Sequence, residues 1–590
     1  MIVLGYNGFS HSAAFFDIYF GMRGIDKHRL AGHDASAALF KDGILVAAAE
    51  EERFSRIKKT SDFPKNAINY CLAEAGISLK EVDYIAIPWD FNEQVVSETV
   101  RDIFGADLGG LSKQFQAFEQ VKNMYFNLVS NQKIMDDFNL NLATRLGAEK
   151  FVFVPHHLAH VLCGFFLSGM KKSAFLVTDG RGELYSSVMG EIDQEQCKIF
   201  QDVSLKIPDS IGVLYRKFTR YLGYVPNCDE YKVMALGAFV NSPPEYDFDH
   251  FIEFLPDGQF QIKLQSDIEL HYYRFLEDFF GGRTEENDKN MAYFIQKLTE
   301  KAIWHQVKYL QDKTTSDCML LEGGVAMNCV NNSKVLAKSR FKDVHVGFAA
   351  NDAGVAIGAA FYPFYQKKAF KSNTITPYLG PQFSHQEVLN ALNAKSEEVT
   401  FRELEENALF EVIIEHLSAK KIIGWFQGRM EYGPRALGNR SILANPAFPD
   451  MKDIINAKVK FREGFRPFAG VILDTEADNF FEMGKKESSP FMTFVFEAKP
   501  QRRDKLSSAL HIDNTSRVQT LSEQQNPKLY NLLLTFKEKT GIPCIINTSF
   551  NVMGEPIVCN PSDAVNCFLN SGIDVLVMEN FLVSKKVDEK

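Results

Sequence analysis

The 590-residue chain is too long for a single core, so two or three domains are expected, each large enough to bury a stable interior. Its net charge of −10 excludes generic binding to nucleic acid or to an acidic membrane, and no apolar run reaches bilayer-spanning length. Nine cysteines, an odd count with no CxxC pair, give neither a zinc ribbon nor a disulfide framework, which with the lack of a signal-like N-terminus points to the cytoplasm.

In chain order, the N-terminal half alternates short apolar runs with helical stretches. IVLGY, SAALF, ILVAAA, YIAIPW, FVFV and AFLVTDG read as strands, and Phe63 to Gly76 as a helix. Asp90 to Gly147 is polar, amide-rich and Phe-spotted at helical spacing, which predicts an inserted helical subdomain. Helical periodicity from Glu269 to about Gln311 is followed by strand CMLLEGG, a helix, strand VHVGFAA and a helix beginning near Ala353. Ser372, Asn373, Pro377, Gly380 and Pro381 then break the pattern. The expected division is a first α/β domain over 1–370, a linker over 371–385 and a second α/β domain over 386–590, with no internal repeat of fixed period.

Three constellations carry chemistry. His156 and His160 in HHLAH sit four apart at the start of a predicted helix, so both imidazoles can face one point, and Asp179 and Asp352 each follow an apolar strand, where ligands collect in open α/β sheets. Two histidines with two aspartates make a hard-to-borderline divalent site, favouring Fe(II), with Mn(II) or Zn(II) as alternatives, although each aspartate taken singly reads more often as a turn residue. His157 is expected to point elsewhere.

The second constellation is the segment EGGVAMN, which reads as strand, Gly323–Gly324 and helix. The glycine pair either lets the backbone approach a ribose or phosphate or serves close helix–strand packing, and Asn328 and Lys232 lie in the same candidate nucleotide region. The third runs from Gly428 to Ala469, where Arg429, Arg435, Arg440, Lys458, Lys460, Arg462 and Arg466 crowd among Gly433, Pro434 and Gly438 in an otherwise acidic chain. Guanidinium groups match phosphate oxygens two at a time, so this stretch predicts a confined phosphorylated ligand; Arg517 and the strand-end polar run through Asn547 and Ser549 are expected to join it.

HDASAAL from His33, AAEEERFSRIKK from Ala48, HHLAH, the DG at Asp179, EYKVM, EGGVAMNC, NDAG, GPRALGNRSILANP, VKFREGFRPFA and NTSFN occur in the order found in the O-carbamoyltransferases of the NodU/CmcH/TobZ family, which the chain resembles over nearly its whole length. The resemblance implies an N-terminal domain of the actin-like ATPase superfamily, as in threonylcarbamoyl transferases, and a YrdC-like C-terminal domain. It further implies that carbamoyl phosphate and ATP form carbamoyl adenylate and pyrophosphate, with Mg(II) accompanying ATP, before the carbamoyl group passes to a hydroxyl of a small natural product such as an antibiotic, sugar or alkaloid. Carried over by motif, Lys460, Arg466, Arg517, Asn547 and Ser549, with Arg435, would hold carbamoyl phosphate and ATP, and AMP would leave from the Gly323–Gly324 turn. His156, His160, Asp179 and Asp352 would hold the metal and His33 would be the base. A homodimer is a candidate assembly. The rival readings are a threonylcarbamoyl-type tRNA modifier, disfavoured by the acidic chain, and a non-catalytic carbamoyl-phosphate or nucleotide sensor. Departures from the family pattern are some twenty-five residues between Asn7 and His33, Arg181 after the DG, and Ala235 in place of a glycine.

Overall fold

The computed structural model describes residues 1–20, 32–105, 110–240, 242, 244–263, 269–371 and 375–586. It divides into two compact units, one formed by residues 1–55 and 59–375 and the other by 56–58 and 376–590. The division falls inside the expected linker, with one correction. Residues 377–381 belong to the second unit, because Gly380 N donates to Met430 O, Met430 N to Pro381 O and Tyr432 N to Pro377 O.

The first unit contains two five-strand ladders of the same topology. In the first, β1 (Ile2–Asn7), β2 (Ser36–Lys41), β3 (Ile44–Glu50), β4 (Tyr84–Ile87) and β5 (Phe151–Phe153) lie in the order β3-β2-β1-β4-β5, with β1–β2–β3 antiparallel and β1–β4–β5 parallel. The second uses β6 (Lys172–Thr178), β7 (Tyr185–Asp193), β8 (Cys197–Ile199), β12 (Cys318–Glu322) and β13 (Asp343–His345), with the short β9 (Leu205–Lys206) beside β7 and a separate hairpin of β10 (Ile252–Phe254) and β11 (Phe260–Ile262). Its order, β13-β12-β6-β7-β8, repeats the first: two antiparallel pairs on one side of β6 and two parallel pairs on the other. The two ladders thus share one topology, although the sequence shows no repeat.

Helices fill the connections: α1 (Ser12–Phe20), α2 (Glu51–Ser55), α3 (Lys65–Glu74), then α4 (Glu93–Gly105), α5 (Leu111–Met124) and α6 (Asn131–Asn141) in the predicted helical insertion. Residues 21–31, which carry most of the insertion before His33, lie outside the described residues. There follow α7 (His156–Ser168), α8 (Ile211–Tyr221), α9 (Glu230–Leu236), α10 (Glu269–Phe280), α11 (Glu285–Lys313), α12 (Cys329–Lys338) and α13 (Val355–Gln366). A helix that is apolar nearly all round must be buried, and α7 and α13, with almost every residue inaccessible, pack along each other while α13 also covers β1. The strongly polar side chains of α7 are its three histidines, His156 and His157 in the first turn and His160 one turn on.

The second unit is built on one mixed nine-stranded sheet. Its strands are β14 (Val399–Glu403), β15 (Ile423–Phe426), β16 (Arg440–Ala444), β17 (Ala469–Leu473), β18 (Val495–Glu497), β19 (Thr515–Leu521), β20 (Cys544–Ser549), β21 (Val575–Met578) and β22 (Phe581–Lys585), in the order β14-β22-β21-β15-β16-β20-β17-β19-β18. Because β20 is antiparallel to both β16 and β17, and β17 is parallel to β19, the end of β20 and the starts of β16, β17 and β19 fall at one edge of the sheet. No helix among the described residues is long and apolar enough to cross a membrane.

Candidate functional site

In the first unit, His156, His160, Asp179 and Asp352 each offer a ligand atom, all lying within 4.8 Å of one another and all buried. The predicted helix start brings the two histidines one turn apart on α7. Asp179 follows β6 and Asp352 follows a tight turn before α13, so the four come from three separate elements.

Surrounding groups fix each candidate ligand. The His156 ring stacks on Trp89 at 4.0 Å, and its Nδ1 lies 3.3 Å from Pro88 O. A proton on Nδ1 donated to that carbonyl leaves Nε2 as a lone-pair donor, 3.3 Å from Asp179 Oδ2. Gly324 N donates to Asp179 Oδ1 at 3.0 Å, which orients the carboxylate and leaves Oδ2 for the cluster. His160 Nε2 stands 3.5 Å from Asp352 Oδ1, and among the described residues neither ring nitrogen of His160 nor Asp352 Oδ1 has a hydrogen-bond partner. Buried polar atoms left in this state are costly unless something coordinates them. Two neutral imidazoles and two carboxylates carry an uncompensated charge of −2, and His156 registers it. Burial opposes protonation of His156, yet the Asp179 hydrogen bond and the Asp352 and Asp179 carboxylates raise its pKa to about 9. The donor set therefore fits a divalent cation in number, type and charge.

His33 borders this cluster. Its Nε2 is 3.7 Å from Asp352 Oδ2, its Nδ1 is 3.1 Å from Asp34 Oδ2, and Asp34 in turn accepts from Lys59 Nζ at 3.1 Å. Asp34 holds φ near +57°, a left-handed conformation sustained by these contacts. Asn7 ties the region together, donating to His33 O and Asp352 O and accepting from Trp89 Nε1. Sequence reasoning missed Glu183, which accepts from the backbone N–H groups of His156 and Asp90 and so caps the helix carrying both histidines. Its signal, a Glu four residues after Asp179, is faint. His157 is not among the four clustered residues, and burial, with the neighbouring His156, lowers its pKa to about 3.

The nucleotide-turn residues are more committed to the fold than their motif suggests. Gly323 has φ +88°, and a Cβ there would lie 2.3 Å from Thr178 O, so close strand packing alone demands glycine. Asn328 caps α12, accepting from Asn331 N, and exchanges hydrogen bonds with Gln296. Lys232 pairs with Asp229 at 3.1 Å and lies over the Tyr224 ring.

In the second unit, the sheet edge gathers the predicted anion-site residues. Arg435 lies in the loop before β16, Arg466 just before β17, Arg517 near the start of β19 and Ser549 at the end of β20. Lys460 ends a π-helical turn, is almost inaccessible, and directs Nζ to Ser549 O and Oγ, to Asn551 O at 3.0 Å and to Asn551 Oδ1 at 2.8 Å. Burial, then the Arg462 and Arg466 guanidiniums and the Lys58 ammonium, hold its pKa well below the usual lysine range. Asn547 Nδ2 is fixed by Gln519 Oε1 and Ala436 O.

The basic run is not uniform, which corrects its sequence reading as a single phosphate cluster. Arg440 is wholly buried and donates to the carbonyls of Gln427, Gly428, Asn439, Pro381 and Cys559 while its guanidinium packs 3.7 Å from the Phe426 ring centre. Arg429 donates to Leu379 O and Gly380 O, and Arg462 to Asn456 Oδ1. These three hold the loops in place.

Residues 24–361 match the family model described as Carbamoyltransferase N-terminus, and residues 414–585 match Carbamoyltransferase C-terminus. The chain is 34% identical to Nodulation protein NolNO of Sinorhizobium fredii over 94% of this chain and 79% of that protein, and 34% identical to Nodulation protein U of Rhizobium fredii over 92% of each. An uncharacterized Synechocystis protein, sll1178, is 34% identical over 94% of this chain and 95% of its own length. Among solved structures, full-length HypF in its phosphate- and nucleotide-bound form aligns over 63% of this chain and 56% of its own at 11% identity and a TM-score of 0.33. The two family models together take in both structural units and every residue of the His–Asp cluster and the cationic sheet edge, and the chain belongs to the carbamoyltransferase family.

Proposed function

We propose that the protein is an ATP-dependent O-carbamoyltransferase acting on a small hydroxylated natural product. In this reading the second unit, YrdC-like in role, converts carbamoyl phosphate, ATP and water to carbamoyl adenylate, pyrophosphate and orthophosphate, and the first unit transfers the carbamoyl group from the adenylate to the acceptor hydroxyl, releasing AMP. The observation that carries it is the pairing of two unlike sites in one chain of this family: a buried cationic edge around Lys460 and a buried anionic cluster around Asp352.

Joining two phosphorylated substrates brings several negative charges together, so the activating site needs ammonium and guanidinium groups to offset their repulsion. Lys460, Arg466, Arg517 and Arg435 fill that role, and Asn547 and Ser549 supply neutral donors beside them. Transfer needs different equipment. His156, His160, Asp179 and Asp352 would hold a divalent ion, Fe(II) by preference with Mn(II) or Zn(II) as alternatives, which when bound polarises the carbamoyl carbonyl. His33 takes the acceptor proton at Nε2 while Asp34, on Nδ1, fixes its tautomer and Lys59 fixes Asp34. The Gly323–Gly324 turn, with Gly324 N on Asp179, keeps the departing AMP side of the cluster oriented.

Incubation of the purified protein with ATP and carbamoyl phosphate in the absence of acceptor should give pyrophosphate and carbamoyl adenylate, followed by mass spectrometry. Adding candidate hydroxylated acceptors should then give carbamoylated product only with metal-loaded protein. Absence of both adenylate and product from metal-loaded protein across acceptors would reject the reading.

A further inference from the structure

Glu322, the last residue of β12, is 1% exposed, and among the described residues neither carboxyl oxygen has a hydrogen-bond partner. Its sequence position, one residue before the Gly323–Gly324 turn, gave no hint of a role. Its surroundings do. A Cβ built on Gly164 of α7 would stand 2.5 Å from Glu322 Oε1, so the carboxyl presses into the helix one turn beyond His160. A Cβ on Gly347, five residues before Asp352, would stand 3.6 Å from the same oxygen. The residue's own backbone runs into Gly324, whose N–H holds Asp179. One side chain thus touches or continues into all three segments that carry the His–Asp cluster.

We propose that Glu322 is a positioning residue for that cluster and works as an uncharged acid, filling the space where α7, the strand end before Gly323 and the 345–347 loop converge.

The groups facing it explain why the neutral form is required. From α7 come the Cys163 thiol and the bare Gly164; from the 345–347 loop come His345 and the Gly347 N–H, which favours ionisation without reaching hydrogen-bond geometry. No ion pair with Glu322 forms among the described residues. A small adjoining cavity is lined in part by Glu322, Thr178, Asn331 and Asn332. Burial accordingly pushes the carboxyl well above the usual glutamate range. A carboxylate created here would have to leave its socket, and the ligand-bearing segments would separate.

This inference rests on the reading of His156, His160, Asp179 and Asp352 as a metal site, and its test uses readouts other than turnover. A carboxyl protonated in the folded state and ionised in the unfolded state makes stability fall as pH rises from the unfolded pKa toward the folded one. Chemical unfolding of the full-length chain, following the first unit, should therefore show the folding constant of the wild type dropping about tenfold per pH unit relative to Glu322→Gln. Zn(II) affinity, measured by competition with a chelating dye, should survive in Glu322→Gln and weaken about 10- to 100-fold in Glu322→Ala. Parallel stability curves for wild type and Glu322→Gln, or unchanged Zn(II) affinity in Glu322→Ala, would overturn the inference while leaving the metal site standing. A wild type that binds no Zn(II) would remove the metal reading itself. Should Glu322→Gln not fold, Glu322→Met, of similar volume and no charge, takes its place, and failure of both would show that the site requires the carboxylate.

Discussion

Replacing Arg440 separates a structural guanidinium from a ligand-binding one. Arg440→Met removes donors from five buried carbonyls, those of Gln427, Gly428, Pro381, Asn439 and Cys559, and deletes a contact with the Phe426 ring. Pro381 O keeps Met430 N and Asn439 O keeps Gln427 N as donors, so at most three of the five carbonyls lose their donor. At roughly 1 kcal/mol each, the stability of the second unit should fall by about 3 kcal/mol. Burial already holds the Arg440 pKa down to about 10, in keeping with a group whose solvation has been replaced by carbonyls. Arg440→Lys keeps the charge but cannot span the same fork, and should lose about half as much. Urea unfolding, resolved into the transitions of the two units, supplies the measurement. A shift below about 1 kcal/mol for Arg440→Met, or native stability combined with a raised KM for ATP, would refute the structural assignment and return Arg440 to the phosphate site.

Other substitutions should divide the two half-reactions. Asp352→Asn and His160→Ala should lose metal stoichiometry by elemental analysis and product formation, yet retain pyrophosphate release from ATP and carbamoyl phosphate; loss of both would tie the cluster to activation. His33→Ala should keep adenylate formation and lose transfer by about 10²- to 10⁴-fold, and unimpaired transfer would remove it as base. Because Lys460 has a depressed pKa in the unliganded protein, binding of carbamoyl phosphate should draw that pKa upward and take up protons at mildly alkaline pH, an uptake that Lys460→Met should abolish. Calorimetry in buffers of different ionisation enthalpy reads the proton count, and equal uptake by wild type and variant would place the anion elsewhere.

Much of the candidate site could be read along the chain wherever spacing implies geometry. The HHLAH spacing becomes two imidazoles one helical turn apart because 3.6 residues per turn leave no other outcome once α7 forms. Asp179 was found directly after β6 for the same local reason, whereas β13 ends at His345 and Asp352 lies in the turn before α13, not at a strand end. The duplicated topology of the first unit escaped notice because strand order is a relation between distant segments, and the two ladders share no periodic sequence. Arg440 and Lys460 look alike in a run of basic residues among glycines and prolines, and only the packing separates a guanidinium spent on carbonyls from an ammonium held beside Ser549 and Asn551. Glu183 and Glu322 gave no usable signal, since a carboxylate is surface-exposed by default and burial is decided by elements far away in sequence.

The sequence by itself determined the family, the two α/β units and the residues of the candidate metal and phosphate sites, because residue chemistry and short-range spacing are local properties. Tertiary structure alone decided which arginines serve the fold, which carboxylates support the cluster from behind and how α7, β6 and the turn before α13 bring four ligand atoms within 4.8 Å. Those outcomes depend on convergence of distant segments and on the desolvation that convergence imposes, neither of which is written in any short stretch of the chain.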